Sequence, residues 1–157
     1  MNIFYIDTDV DKCAESHCNK HVVKMILEYA QLLSTAHVEL DGNQVAYKST
    51  HKNHPCAVWV RQSSDNYRYL YNLFVALCKE YTHRYDKVHL TWTKHGNTLA
   101  HLPSNINTGE FTLPPQCMPE DYYHNDTVQA YRSYYRHGKS SMLEYKRRQI
   151  PSWVIKC

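Results

Sequence analysis

The chain has 157 residues, of which 43% are apolar and 21% charged, and its formal net charge is +3. That is room for one packed core and not for two, and it excludes a disordered tail, a collagen-like or low-complexity chain and a strongly basic histone-like binder. No apolar run approaches the roughly 20 residues that a bilayer crossing needs, and the opening Met-Asn-Ile-Phe-Tyr-Ile-Asp carries neither a basic leader nor a long apolar stretch. A cytoplasmic protein with no membrane partner is expected. The 14 Tyr and 11 His supply many half-polar rings, while only 4 Gly argue against an all-β fold built on tight hairpins. Cys13, Cys18, Cys56, Cys78, Cys117 and Cys157 include no CxxC pair and read as buried or incidental thiols, not disulfides.

In chain order, Asn2 to Ile6 predicts a short extended segment. Asp7, Thr8 and Asp9 offer N-cap oxygens to one uninterrupted helix from about Val10 to about Val38, ending before Asp41-Gly42. A polar stretch runs to Asn53, and Pro55 suits a first helical turn. Asp65 can restart or continue that helix, and Tyr67, Leu70, Phe74, Leu77 and Tyr81 recur at helical spacing up to about Tyr85. A weaker helix covers Val88 to Leu99. Residues Pro103 to Pro119 hold four prolines and read as extended loop. Asn125 or Asp126 caps a last helix, Thr127 to His137, with Gly138 as its stop. There is no internal repeat or linker, so residues 1–157 form one domain. The fold is mainly α, a compact helical bundle around a long buried first helix, with a Pro-rich loop.

The sharpest signal lies on the first helix. Cys18, Val22, Met25, Tyr29, Leu32, Leu33 and Ala36 cover one flank, and Val23, Leu27 and Ala30 cover much of the other. Between them His17, His21, Lys24, Glu28, Gln31 and Thr35 follow at spacings of four and three, within about 40° of one direction. Either this line faces solvent, with Lys24 and Glu28 as an i,i+4 pair, or it floors a polar pocket with Lys20 at its edge. Cys13, His17 and His21, with His51 and His54, offer a metal-binding variant, but there is no HExxH motif or cysteine knuckle, and neither a metal nor another cofactor is expected.

A second constellation is His51-Lys52-Asn53-His54-Pro55 at a helix entrance, where free N–H groups favour an anion. Arg61 follows with a fork suited to phosphate, then Asn66 and Tyr67. In the Pro-rich loop, Gln116 suits a base or amide contact and Met118 can pack against a ring. Tyr131, Tyr134 and Tyr135 interleave with Arg132 and Arg136 in a pattern that suits either a nucleic-acid surface or a packed helix edge.

The segments His17 to Glu28, His51 to Pro55 with Trp59-Val-Arg61, and Pro115-Gln-Cys-Met-Pro119 together resemble a family of small tailed-phage proteins. The layout is also similar to the pyrimidine-dimer DNA glycosylases of the endonuclease V class, compact helical proteins with a His-bearing first helix and a Pro-x-Trp element, here Pro151-Ser-Trp153. The resemblance implies imine chemistry at a processed N-terminal Thr amine, aided by a Glu on the first helix. This chain begins Met-Asn, from which Met is not expected to be removed, and Lys24 stands where that Glu is expected, with Glu28 the nearby carboxylate. On that basis the imine moves to Lys20 or Lys24.

Three functions follow as expectations. The first is a phage accessory protein in the infected host's cytoplasm that binds an anionic nucleotide or nucleic-acid element, sequestering a host immune signal. In it Lys20, His54 and Arg61 join the helix cations on phosphates, and Gln31, His51, Asn53, Asn66, Tyr67, Gln116 and Met118 complete the ligand site. The second is a glycosylase, lyase or phosphodiester-cleaving enzyme using His17, His21, Lys24 and Glu28 as its catalytic set. The third is a blocker of a host protein through the Tyr-rich surface. A homo-oligomer is compatible with each.

Overall fold

The computed structural model describes residues 1–155. It is all-helical, with six α-helices: α1 (Val10–Ser16), α2 (Asn19–Asp41), α3 (Pro55–Gln62), α4 (Ser64–Tyr85), α5 (Leu90–Leu99) and α6 (Thr127–Ser133). Among the described residues no strand forms. Cys157 lies outside the described residues; Cys13, Cys18, Cys56, Cys78 and Cys117 are free thiols.

Side-chain caps set most helix starts. Asp9 accepts the Lys12 N–H, His54 the Cys56 N–H, Ser63 the Asn66 N–H and Asp126 the Val128 and Gln129 N–H groups. Gly42, at φ +66°, closes α2 in a left-handed turn that a side chain would strain. The long first helix is in fact two. At His17-Cys18 the backbone turns extended, with no Pro or Gly to cause it. Tertiary bonds stabilise the break: the Asn19 N–H donates to Glu144 O at 2.8 Å, and the Cys18 N–H to the Tyr135 hydroxyl at 3.3 Å. Likewise Pro55 to Tyr85 divides at Ser63, whose hydroxyl caps α4 and donates to Glu110 O. The last helix ends α-helical at Ser133 and continues as one π-helical turn over Tyr134–Gly138.

Helix α2 is the centre, packed on α3, α4 and α5, and α1 packs on α4. Its Val22, Ile26, Tyr29, Ala30, Leu32, Leu33 and Ala36 are fully buried, which is the apolar content a central helix needs. The segment Ile3–Ile6, outside any helix or strand, is also buried and bonds to α1 and α2 through Phe4.

One ionic knot ties the bundle to its C-terminal segment. Arg84, with no solvent exposure, donates to Glu80 at 2.7 Å, Asn19 at 3.1 Å and Glu15 O at 2.9 Å. Arg148 closes on the Glu80 carboxylate with two bonds, at 3.0 and 2.9 Å. Removing one partner of such a buried pair strands the other charge. Glu80→Ala is therefore expected to cost about 3–5 kcal/mol in urea unfolding; a loss below about 1 kcal/mol contradicts the burial of this pair.

Candidate active site

The site is built outward from the chain's first residues. The Phe4 N–H donates to the Tyr29 hydroxyl at 3.2 Å, Tyr29 donates to His17 Nε2 at 2.9 Å, and His17 Nδ1–H donates to Cys13 O at 2.7 Å. The Cys13 thiol returns to Phe4 O at 3.1 Å. This loop of bonds joins the extended segment to α1 and α2 in the core. Further along, Arg132 donates to Ile6 O at 2.8 Å, and Asn2 donates to Cys117 O at 2.7 Å.

A segment so held fixes the atom at its head. The Met1 α-ammonium lies 3.6 Å from Glu28 Oε1, and the Met1 and Glu28 side chains are only 6% and 15% exposed. The other Glu28 oxygen is 3.6 Å from Lys24 Nζ and, though buried, accepts no hydrogen bond. At 3.6 Å both contacts are ion pairs without a proper hydrogen bond, so the carboxylate keeps lone pairs free to take a proton.

Asn2, the next residue, reaches an open cleft of about 560 Å³ lined also by His54, Gln116, Cys117, Met118 and Tyr134, among others, though not by Met1 or Glu28. His54 titrates below an ordinary imidazole because burial disfavours its cation and the nearby α-ammonium repels it. Cys117 is held below an ordinary thiol by the Cys56 thiol, 3.7 Å away, with the α-ammonium adding to the effect. Cys56, the donor in that pair, is pushed up. Gln116 is fixed by two bonds with the His124 backbone, and the Tyr131 hydroxyl holds the loop by donating to Pro115 O and accepting the Cys117 N–H.

The residues singled out from the sequence are distributed as follows. His54, Gln116 and Met118 line the cleft, Glu28 pairs with the Met1 nitrogen, and Lys24, its side chain 73% exposed, pairs with Glu28 and lines the groove that also holds Lys20. His17 and His21 are in the core, not in the cleft. Burial holds His17 neutral, with its pKa lowered to about 4. His21 bonds the Tyr135 hydroxyl at 2.6 Å and stacks on Phe4 at 4.3 Å, and burial lowers its pKa to about 3. The helix line therefore does not share one cavity: the break at His17 turns its first member inward, Thr35 bonds the Thr50 backbone, and Lys20 lies in a separate open groove beside Tyr85.

Asn66 and Tyr67 are fully buried, bonded to Trp59 O and Thr112 and to Leu99 O and His37 respectively. His51, at φ +49°, and Asn53 are exposed; Gln31 is half-buried, as is Arg61, whose Nη1 is enclosed without a partner. The α-amine, Asn2, Cys56 and Cys117 were not singled out from the sequence as site residues. The signal for the first was the amine chemistry of the similar glycosylases; nothing local marks the others.

A primary amine beside a carboxylate has the groups that imine formation with a carbonyl-level carbon requires. Residues 1–94 match the family model described as pyrimidine dimer DNA glycosylase, more than half of the chain, and the protein belongs to that family. No curated protein and no solved structure matches it. No helix is long and apolar enough to cross a membrane.

The buried imidazoles set a pH limit. Both are neutral in the fold but take up protons near pH 6.5 once unfolded, so the unfolded chain binds more protons in acid. Stability is full above pH 6.5 and falls as pH drops toward 4, by about 2–3 kcal/mol per histidine at pH 4.5. The expected drop in Tm between pH 7 and pH 4.5 is about 10–20 °C, and His21→Gln should flatten it. A Tm constant over that range contradicts neutral, buried His17 and His21.

Proposed function

We propose that the protein is a DNA glycosylase and lyase acting on pyrimidine dimers in duplex DNA, with the Met1 α-amine as nucleophile and Glu28 as the proton-transfer group. The observation that carries this is the ion pair of the Met1 nitrogen with Glu28, 3.6 Å apart, one residue from the cleft that Asn2 lines. α-Amines as a class release their proton two to three pH units below lysines, which favours this nitrogen over Lys20 and Lys24 as the attacking group.

The steps balance as follows. Glu28 takes the proton that frees the amine, and the nitrogen attacks C1′ of the damaged nucleotide. The glycosidic bond breaks, and its electron pair leaves with the pyrimidine, which takes the proton held by Glu28 and stays tethered through the dimer. The C1′–O4′ bond then breaks as a proton passes from the attached nitrogen to O4′, and the opened sugar is an imine on the first residue. Glu28 removes a C2′ proton, the 3′-phosphate departs, and water hydrolyses the imine to restore the amine. In this reading Gln116 contacts base or amide edges with what its two His124 bonds leave free, and Met118 and Tyr134 pack on rings; all three line the cleft.

The test is borohydride trapping on ultraviolet-irradiated duplex DNA, followed by peptide mass mapping. The expected adduct is on the α-nitrogen of the first residue, with none on undamaged DNA. Glu28→Gln should lower trapping and strand cleavage by about 10²–10⁴-fold while leaving Tm near wild type. An adduct on Lys20 or Lys24, or no adduct with irradiated DNA, overturns the assignment.

A further inference from the structure

We propose that His54, Cys56 and Cys117 form a binding site for a single Zn²⁺ ion, held by one imidazole and two thiolates with its fourth position open to the cleft. The three side chains come from the entrance of α3 and from the Pro-rich loop, and their ligand atoms all lie within 4.8 Å of one another. The two sulfur atoms are 3.7 Å apart. Tetrahedral zinc with Zn–S bonds near 2.3 Å sets its sulfur ligands about 3.8 Å apart, so the thiols already stand at the edge length that this metal requires. A disulfide needs about 2.05 Å, and the sulfurs have to move far more to reach it.

The surroundings suit a metal as well. Cys56 is fully buried, while His54 and Cys117 are half-buried, so protein closes one side and the cleft leaves the other open. Three protein ligands with one free position are the arrangement of reactive, not purely structural, zinc. The ligands are rigidly presented: Pro55 separates His54 from Cys56 in the first turn of α3, and Asn2 and Tyr131 anchor the Cys117 backbone. Binding exchanges two thiol protons for one dication and leaves the set neutral. His54 Nδ1 now accepts the Cys56 N–H at 3.1 Å, and a cation taking that lone pair replaces one cap bond with a coordinate bond. The site stands on its own geometry and not on the amine chemistry.

The test uses Co²⁺ as the probe on the reduced, chelator-stripped protein without oxygen. One equivalent should produce thiolate-to-cobalt charge-transfer absorption in the near ultraviolet and strong tetrahedral bands in the visible, both bleached by Zn²⁺. Cys117→Ser, at a half-buried position, should about halve the charge-transfer band and weaken Co²⁺ binding at least tenfold. His54→Ala should weaken binding tenfold or more with the thiolate band retained at saturation. Absence of a charge-transfer band, or a band of full intensity in Cys117→Ser, overturns the proposal.

Discussion

The closed set of hydrogen bonds through Phe4, Tyr29, His17 and Cys13 is the constraint on which the site depends. A chain terminus frays unless its backbone is bonded and buried. Here the backbone on both sides of Phe4 is satisfied by side chains from α1, α2 and the turn between them. The apolar residues Ile3, Phe4, Tyr5 and Ile6 add burial along the same stretch. A backbone pinned at Phe4 leaves only three residues of slack before the α-nitrogen, and Asn2 removes part of that through Cys117. His17 thus positions the amine from a distance, through Tyr29, without touching the cleft.

Two carboxylates in the molecule show opposite uses of charge. Glu80 accepts close bonds from Arg84 and Arg148, the shortest at 2.7 Å, and is 3% exposed. Such an acid is saturated, and its contribution is to hold elements together. Glu28 meets its two cations at 3.6 Å and leaves an enclosed oxygen without a hydrogen bond. An incompletely satisfied buried oxygen costs stability, and it also leaves a base that can accept a proton. The loose pairing at Glu28 fits chemistry as the tight pairing at Glu80 fits architecture.

The helical content was legible because its signals are local. Asp9 and Asp126 cap where the sequence offers caps, Pro55 opens α3, and Gly42 closes α2. The break at His17-Cys18 was not, since nothing in its neighbourhood forbids a helix; the bonds that stabilise it come from Tyr135 and Glu144. That break also explains why the polar line looked continuous on a helical wheel yet divides between core, cleft edge and surface. His54, Gln116 and Met118 carried recognisable chemistry and line one cleft, while Glu28 pairs with the Met1 nitrogen behind Asn2, which lines it too. The opening Met-Asn, in place of a processed Thr, pointed away from the α-nitrogen and toward Lys20 and Lys24, and the pairing of Cys56 with Cys117 spans 61 residues of sequence.

The Asn2 bond to Cys117 and the Ile6 bond to Arg132 join positions 115 and 126 residues apart. During synthesis the partners of Phe4, namely Cys13, His17 and Tyr29, emerge soon after it, whereas Cys117 and Arg132, which hold Asn2 and Ile6, emerge almost last. The ends of the Asn2–Ile6 segment are thus fixed only when translation is nearly complete, and such distant closures are the slow kind. The 94 residues that place the protein in its family contain the amine, Glu28 and one side of the cleft at Asn2, His54 and Pro55, and the facing side, from Gln116 to Tyr134, is contributed by the remainder.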